Sequence, residues 1–342
     1  MGRKKKCTCY SGIGGQAVLE GVMMKNKEKY AVAVRKPDGE IEVEVEAYEG
    51  VWHGNKIKEF PFIRGIFNFI DSMVLGMKCL NFSASFYEEE GSAGTETDKA
   101  LDKMSKGKGE SVLMALTTVF AVVLAVGLFI VLPYLITSLF KEYIRNDSLM
   151  AIIEGIIRIA IFVLYVAGIS AMKDIRRLYQ YHGAEHKCIN CLEKGHRLNV
   201  RNVRNSSRLH KRCGTSFMFL VLFISIILFF FIRVDNGVQR VLIRILLIPV
   251  IAGISYEFIR LAGRSDNLFV KIISAPGLLL QRLTTKEPDD SMIEVAIASI
   301  EAVFDWKEYL KDNFGKIIED NEAASEKDSD IEQEAEEETE EH

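Results

Sequence analysis

Residues 111–140 read SVLMALTTVFAVVLAVGLFIVLPYLITSLF, without one charged side chain. A helix needs about 20 apolar residues to cross the hydrocarbon core of a bilayer, and this stretch exceeds that, with Pro133 as the expected kink. Working outward, three more stretches have the same character. Residues 151–172 carry Glu154 and Arg158 early and then run IAIFVLYVAGISAM; 216–232 are SFMFLVLFISIILFFFI; 238–260 are GVQRVLIRILLIPVIAGISYEFI. Buried helices of a large soluble domain are the alternative, but the first and third stretches lack the polar face that a soluble helix keeps. The expected class is a predominantly α-helical polytopic membrane protein of about four transmembrane helices, with a small α+β cytoplasmic portion.

Charge orients the spans. The connector between the second and third holds a dense run of Lys and Arg from Lys173 to Arg212, against only Lys141 and Arg145 after the first span, and Arg233 and Arg240 after the third. Excess Lys and Arg mark the cytoplasmic side, so that connector and both termini are placed there, on the inner face of a bacterial cytoplasmic membrane. The net charge of −4 over 342 residues averages unlike parts and says little about partners. Six cysteines are too few for a disulfide scaffold of this length. The start, MGRKKKCTCYSG, has a basic run without an apolar one behind it, which does not read as a cleaved signal peptide.

Five regions follow. Residues 1–86 form a cytoplasmic N-terminal region, in which KYAVAVRKPDGEIEVEVEAYEG (29–50) alternates around Pro37-Asp38-Gly39 as a β-hairpin. Within it, 60–82 are apolar but interrupted by Arg64, Asp71 and Lys78, which favours a helix on the membrane surface over a fifth span. Residues 87–110 are a flexible linker, and 111–263 the four-helix membrane domain with a His/Cys loop at 173–215. Residues 264–316 are a cytoplasmic helical region, with a loop or short helix over 264–288 and an amphipathic helix over 291–311. Residues 317–342 are an acidic tail too poor in apolar residues to order.

The chemistry-bearing side chains gather in RRLYQYHGAEHKCINCLE, 176–193. His182 and His186 lie four apart, on one face of a helix continuing inward from the second span. With Glu185 they make H-x-x-E-H, the inverse of the H-E-x-x-H pattern in which two histidines bind zinc and the glutamate polarises water. A catalytic zinc takes three protein ligands and leaves one position open. RLHKRCGTSF supplies His210 and Cys213 just before the third span, so both pairs reach the same interface. The favoured set is His182, His186, His210 and Cys213 around Zn²⁺, with Glu185 as base and Glu257, near the cytoplasmic end of the fourth span, as a further base or ligand. Cys188-x-x-Cys191 offers a rival, a closed structural zinc knuckle with His182 or His186; Cys188 reads equally well as a small buried hydrophobe. Gly12, Gly14 and Gly15 in GIGGQAVLEGVMMK (12–25) read as an anion-holding loop or as a tight turn into a short helix or strand. The basic run 194–212 has no interleaved aromatics, and the membrane-side bias accounts for it, so nucleic acid is not expected as a partner.

These stretches together resemble a family of bacterial membrane proteins of unknown function, the YqhQ-like proteins (domain of unknown function 1385). The resemblance rests on GGQAVLEGVMM (14–24), FIRGIFNFIDSMVLGMKCLNFSA (62–84), YHGAEHKCINCLE (181–193), RCGTSF (212–217), SYEFIRLAGR (255–264) and PGLLLQRLTTKEPDDSMIEVAI (276–297), covering about residue 12 to about residue 305. It implies a multi-span membrane protein, labelled in general terms a metal-dependent enzyme, and supplies no substrate. It treats Cys188 and Cys191 as local features, which weakens the knuckle. Because GGQAVLEGVMM carries the resemblance as specifically as the histidines, it adds Gln16, Glu20 and Met23 as candidate lining of the same site.

The leading expectation is a hydrolase-like, zinc-dependent enzyme at the cytoplasmic membrane face. The alternative is a membrane scaffold or assembly factor, binding a protein partner through its cytoplasmic regions, with a structural metal. A transporter is the third reading, prompted by Glu154, Arg158 and Glu257, and four spans would then need a homodimer to enclose a path.

Overall fold

The computed structural model describes residues 9–50, 60–87, 109–232, 236–263 and 267–318. Most of the expected linker and the acidic tail beyond 318 lie outside the described residues. The chain opens with a four-stranded antiparallel sheet in sequence order: β1 (Ile13–Val18), β2 (Gly21–Asn26), β3 (Lys29–Arg35) and β4 (Ile41–Ala47). The β3–β4 hairpin closes around 36–40 as the turn residues predict, with Arg35 opposite Ile41. Its predecessor, β1–β2, is the strand option of the glycine-rich stretch: Val18 pairs with Gly21 across Leu19 and Glu20, and Glu20 takes φ 50°.

Both faces of β2 and β3 are covered. Val22, Met24 and Ala33 face one core; Met23, Tyr30, Val32 and Val34 face another, completed by Leu75 and Cys79 of α1 (Ile63–Ser85). That is why GVMM and YAVAV read as continuous apolar runs. The first core also takes Tyr181, Cys188, Ile189 and Leu192 of α5 (Lys173–Glu193), Val203 of α6 (Val200–Arg204), and Met292, Ile293, Ala296 and Ile300 of α11 (Asp290–Glu301). Leu310 of α12 (Trp306–Phe314) closes it, so the two ends of the chain and its middle build one core.

The long apolar helices lie between. α2 (Gly109–Val126) runs through a π-helical turn, Gly127–Val131, into α3 (Leu132–Ser138). The irregular turn directly precedes Pro133, whose missing N–H loosens the ladder there. α4 (Asp147–Ser170) starts at Asn146, whose side chain accepts the Ser148 and Leu149 N–H groups. α7 is Gly214–Phe231; α8 (Gly237–Leu246) meets α9 (Ile248–Ala262) at a 43° bend beside Pro249. Among the described residues three helices, Leu116–Ser138, Ser148–Ser170 and Gly214–Phe231, are long and apolar enough to cross a bilayer, and four if the bent pair is one span.

Three expectations are corrected. α5 does not continue α4: the chain breaks at Met172, where ψ reaches 135°, and a new helix starts. The stretch read as a loop or short helix contains α10 (Leu268–Thr284), which runs through Pro276 because it lies along α7, where Gln281 donates to Ser216 Oγ at 2.8 Å. The amphipathic segment 291–311 is two helices, α11 and α12, the second capped by Asp305.

Candidate metal centre

His182 and His186 project from the middle of α5, their ring centroids 4.4 Å apart. Each Nδ1 faces a backbone carbonyl: His182 donates to Thr284 O at 2.9 Å, at the end of α10, and His186 to Arg208 O at 2.6 Å. A carbonyl only accepts, so both Nδ1 atoms carry a proton, and in the neutral rings the lone pairs sit on the Nε2 atoms. This outer-shell arrangement orients and tunes metal-bound imidazoles. Cys213 is the N-cap of α7; its sulfur accepts the Thr215 N–H at 3.4 Å, where the partial positive charge of a helix end gathers. Sγ lies 3.2 Å from His182 Nε2, and ligand atoms of His182, His186 and Cys213 all lie within 4.8 Å of one another. Ligand bonds of about 2.0–2.3 Å around a tetrahedral ion set such atoms about 3.5 Å apart, so the donor set and its spacing fit a zinc-type ion.

Glu185 lies beside this trio, Oε2 3.9 Å from His182 Nε2. Burial pushes its carboxyl up to about 6, against the pull of His182 and of the Gly15 N–H that it accepts. A cavity of about 100 Å³ opens over the cluster, walled by Ile13, Gly14, Gly15 and Ile189 besides the titratable groups.

His210 is adjacent but differently engaged. Its ring centroid is 5.6 Å from that of His186, while its Nε2 lies 3.3 Å from Arg212 Nη2 and 3.7 Å from Glu193 Oε2. Gln281 clamps its backbone, accepting the His210 N–H at 2.8 Å and donating to its carbonyl at 2.7 Å. Burial drives the His210 ring down to about 4, Glu193 opposing. His210 therefore stands outside the converging trio.

The remaining sequence candidates lie elsewhere. Glu257 pairs with Arg64, with Nε at 2.6 Å from Oε1, and accepts the Phe62 N–H, tying α9 to α1. Glu20 binds Arg177 and the Tyr181 hydroxyl, joining the β1–β2 turn to α5 outside the cavity that the histidines line. Gln16 and Met23 pair across β1 and β2 on the α1 side of the sheet, the opposite face from Gly15 and Glu185. They line a second cavity of about 390 Å³. Cys188 and Cys191 are buried in the core shared with α11, where burial raises both thiols, Cys191 to about 12, and neither belongs to the converging trio. Spacing missed Thr284 and Arg208, which contribute only carbonyls, and Gln281. The signal for Gln281 was a lone amide inside the apolar run GLLLQRL.

Fold and site define a class: a mainly helical chain with three or four bilayer-length apolar helices and a His/Cys cluster at the seam between a small sheet and those helices. The family described as a protein of unknown function, DUF1385, matches residues 60–306, and the chain belongs to it. The chain is also 36% identical over 287 residues to the uncharacterised protein YqhQ of Bacillus subtilis (strain 168), covering 84% of this chain and 90% of that one. No solved structure matches.

Proposed function

We propose that the chain is a multi-pass protein of the bacterial inner membrane, with a zinc-type centre at its cytoplasmic face that serves a hydrolytic reaction. The observation that carries this is the convergence of two imidazoles and one thiol, both rings held by backbone carbonyls. Membrane placement is supported by the bilayer-length helices, and orientation by the basic connector that holds the cluster. A bound zinc ion supplies Lewis acidity, bringing the pKa of a water to about 7. His182, His186 and Cys213 hold the ion. Glu185 takes the proton from water in the 100 Å³ cavity at Oε2; a carboxyl near pH 6 is ionised at neutral pH and still basic enough to accept it. Gly15 N–H, His182 and burial set that basicity together.

Metal analysis of detergent-purified protein tests the reading. One equivalent of metal is expected in the parent, with loss in His182→Ala, His186→Ala and Cys213→Ser and retention in Glu185→Gln, which should abolish rescue of a deletion strain. A metal-free parent sinks the proposal, and rescue by Glu185→Gln transfers the chain to the scaffold reading, with a structural ion and a protein partner. The charges that prompted the transporter reading are paired: Glu154 with Arg158 and Arg244, with bonds of 2.8 Å from each, and Glu257 with Arg64.

A further inference from the structure

Arg212 brings a guanidinium into the wall of the 100 Å³ cavity that His182, Glu185, His186 and Cys213 also line. It is held there from three sides. Its stem runs against Gly263, just past α9, where any Cβ would collide with Arg212 Cδ and Cγ. The Tyr10 ring covers the guanidinium face at 4.1 Å, and Glu193 pairs with Nη2. Glu193 is itself fixed by the Ser11 N–H and hydroxyl, so the segment ahead of β1 supports the arginine twice.

Hydrogen bonding among the described residues engages Nη2 alone. It donates to Glu193 Oε1 and lies 3.3 Å from His210 Nε2. A guanidinium carries five N–H groups, and no described residue accepts from Nε or Nη1. Fixed donors at the wall of a small cavity act best on charge that develops during a reaction, because they need no reorganisation when it appears. The local charges say which substrates qualify. Arg212 is already balanced by Glu193, and Glu185 stands in the same cavity. A substrate that arrives as an anion gains little from the guanidinium and faces a carboxylate. A neutral one, whose charge appears as Glu185 takes a proton, escapes that repulsion.

We infer that Arg212 is a catalytic residue of this centre, donating through Nε and Nη1 to the carbonyl oxygen of a neutral carboxylic ester or amide as that oxygen becomes an alkoxide. This role rests on the hydrolytic reading above and fixes its substrate class as acyl. The water oxygen bonds to the acyl carbon, the C=O π pair moves onto the oxygen facing Arg212, and the water's proton goes to Glu185. When a lone pair of that oxygen restores the C=O bond, the C–O or C–N bond breaks. The leaving group takes the proton back from Glu185, giving a carboxylic acid and an alcohol or amine. Tyr10 is a positioning residue that acts through Arg212.

Methylboronic acid is the probe, being neutral and trigonal until it takes up hydroxide as a tetrahedral anion. The full chain is purified in detergent with its metal content measured, and boronate binding is followed by ¹¹B NMR. Azide, which ligates a metal but offers Arg212 no oxygen, is titrated by calorimetry, as is inorganic phosphate. The parent is expected to hold the tetrahedral anion and to prefer methylboronic acid to phosphate. Arg212→Gln should weaken boronate about tenfold to a hundredfold, the scale of one or two charge-assisted hydrogen bonds, and leave azide unchanged. Arg212→Lys should recover part of the loss, since it keeps the charge without the fork. Tyr10→Leu, at a ring 56% exposed, keeps the test open should the Arg212 variants not fold; it should weaken boronate about threefold with azide again unchanged. Metal and azide bound without boronate in the parent, or equal boronate affinity in parent, Arg212→Gln and Tyr10→Leu, overturns the role of Arg212 and spares the metal centre. Parallel loss of boronate and azide in the variants overturns it too, leaving Arg212 a structural part. Phosphate bound more tightly than boronate overturns the ester or amide class. A metal-free parent overturns the hydrolytic reading and this role with it.

Discussion

Gly183, between the two helical turns that carry His182 and His186, shows how one missing side chain builds the site. A Cβ there would lie 2.0 Å from the Lys286 carbonyl oxygen, a backbone atom that cannot swing aside. The close approach lets Lys286 N–H donate to Tyr179 O at 2.8 Å and brings Thr284 O to His182 Nδ1. Gly183→Ala is therefore expected to destabilise the protein by about 1–3 kcal/mol, the range for overpacking a tight contact, and to weaken metal retention by shifting Thr284. Thermal denaturation and metal content of the purified variant check this; a variant that melts and binds metal like the parent would show that 284–288 does not press on α5. The histidine spacing was legible because i, i+4 positions share a helix face. The carbonyls that aim the rings were not, because every residue carries one and no side-chain pattern marks it.

At the scale of elements, Glu193 at the end of α5 is the clamp. It accepts the Ser11 N–H at 3.0 Å and the Ser11 hydroxyl at 2.8 Å, and pairs with Arg212 ahead of α7. Burial works against its charge, but hydrogen bonding with His210, the Arg212 guanidinium and the Ser11 N–H bring it from 4.5 to about 2. A carboxyl depressed on folding contributes stability that is whole above its unfolded value and is lost as pH falls toward the folded one. The window is thus about pH 4.5 down to about pH 2, with a contribution of order 3 kcal/mol. Glu193→Gln should melt lower at pH 7 and show a flatter decline across that window, read by thermal denaturation between pH 6 and pH 3; parallel declines would remove the clamp. Legibility also differed by element. The β3–β4 hairpin was readable from Pro37-Asp38-Gly39 and from the polar-apolar alternation of β4, although there Val43 and Val45 are exposed and Glu44 and Glu46 half-buried. β1 and β2 were ambiguous because glycines and two-sided burial erase the alternation. α10 was hidden by Ser274-Ala275-Pro276-Gly277, which reads as a break until packing on α7 holds it.

For the whole molecule, the apolar blocks were the most legible feature, since length and the absence of charge need no tertiary context. The charges that do occur among them are neutralised across the bundle: Glu154 of α4 meets Arg158 one turn on and Arg244 of α8. Such a pairing suits helices with no water around them, where an unpaired charge is costly. Sidedness then follows from the loops. If the basic connector that carries His182, His186 and Cys213 faces the cytoplasm, the loop after the first span must face outward, and two positions separate these outcomes. Tyr143 in that loop is 84% exposed, and Arg201 of α6 is also exposed, while Cys79, Cys188, Cys191 and Cys213 are buried; half-buried Cys9, and Cys7 with it, are replaced by Ser in the parent for this test. In intact cells, a membrane-impermeant maleimide should label Tyr143→Cys, and should label Arg201→Cys only after permeabilisation. Labelling in the reverse order would put the His/Cys cluster outside the cytoplasm; labelling of both in intact cells would mean that the second apolar helix does not cross.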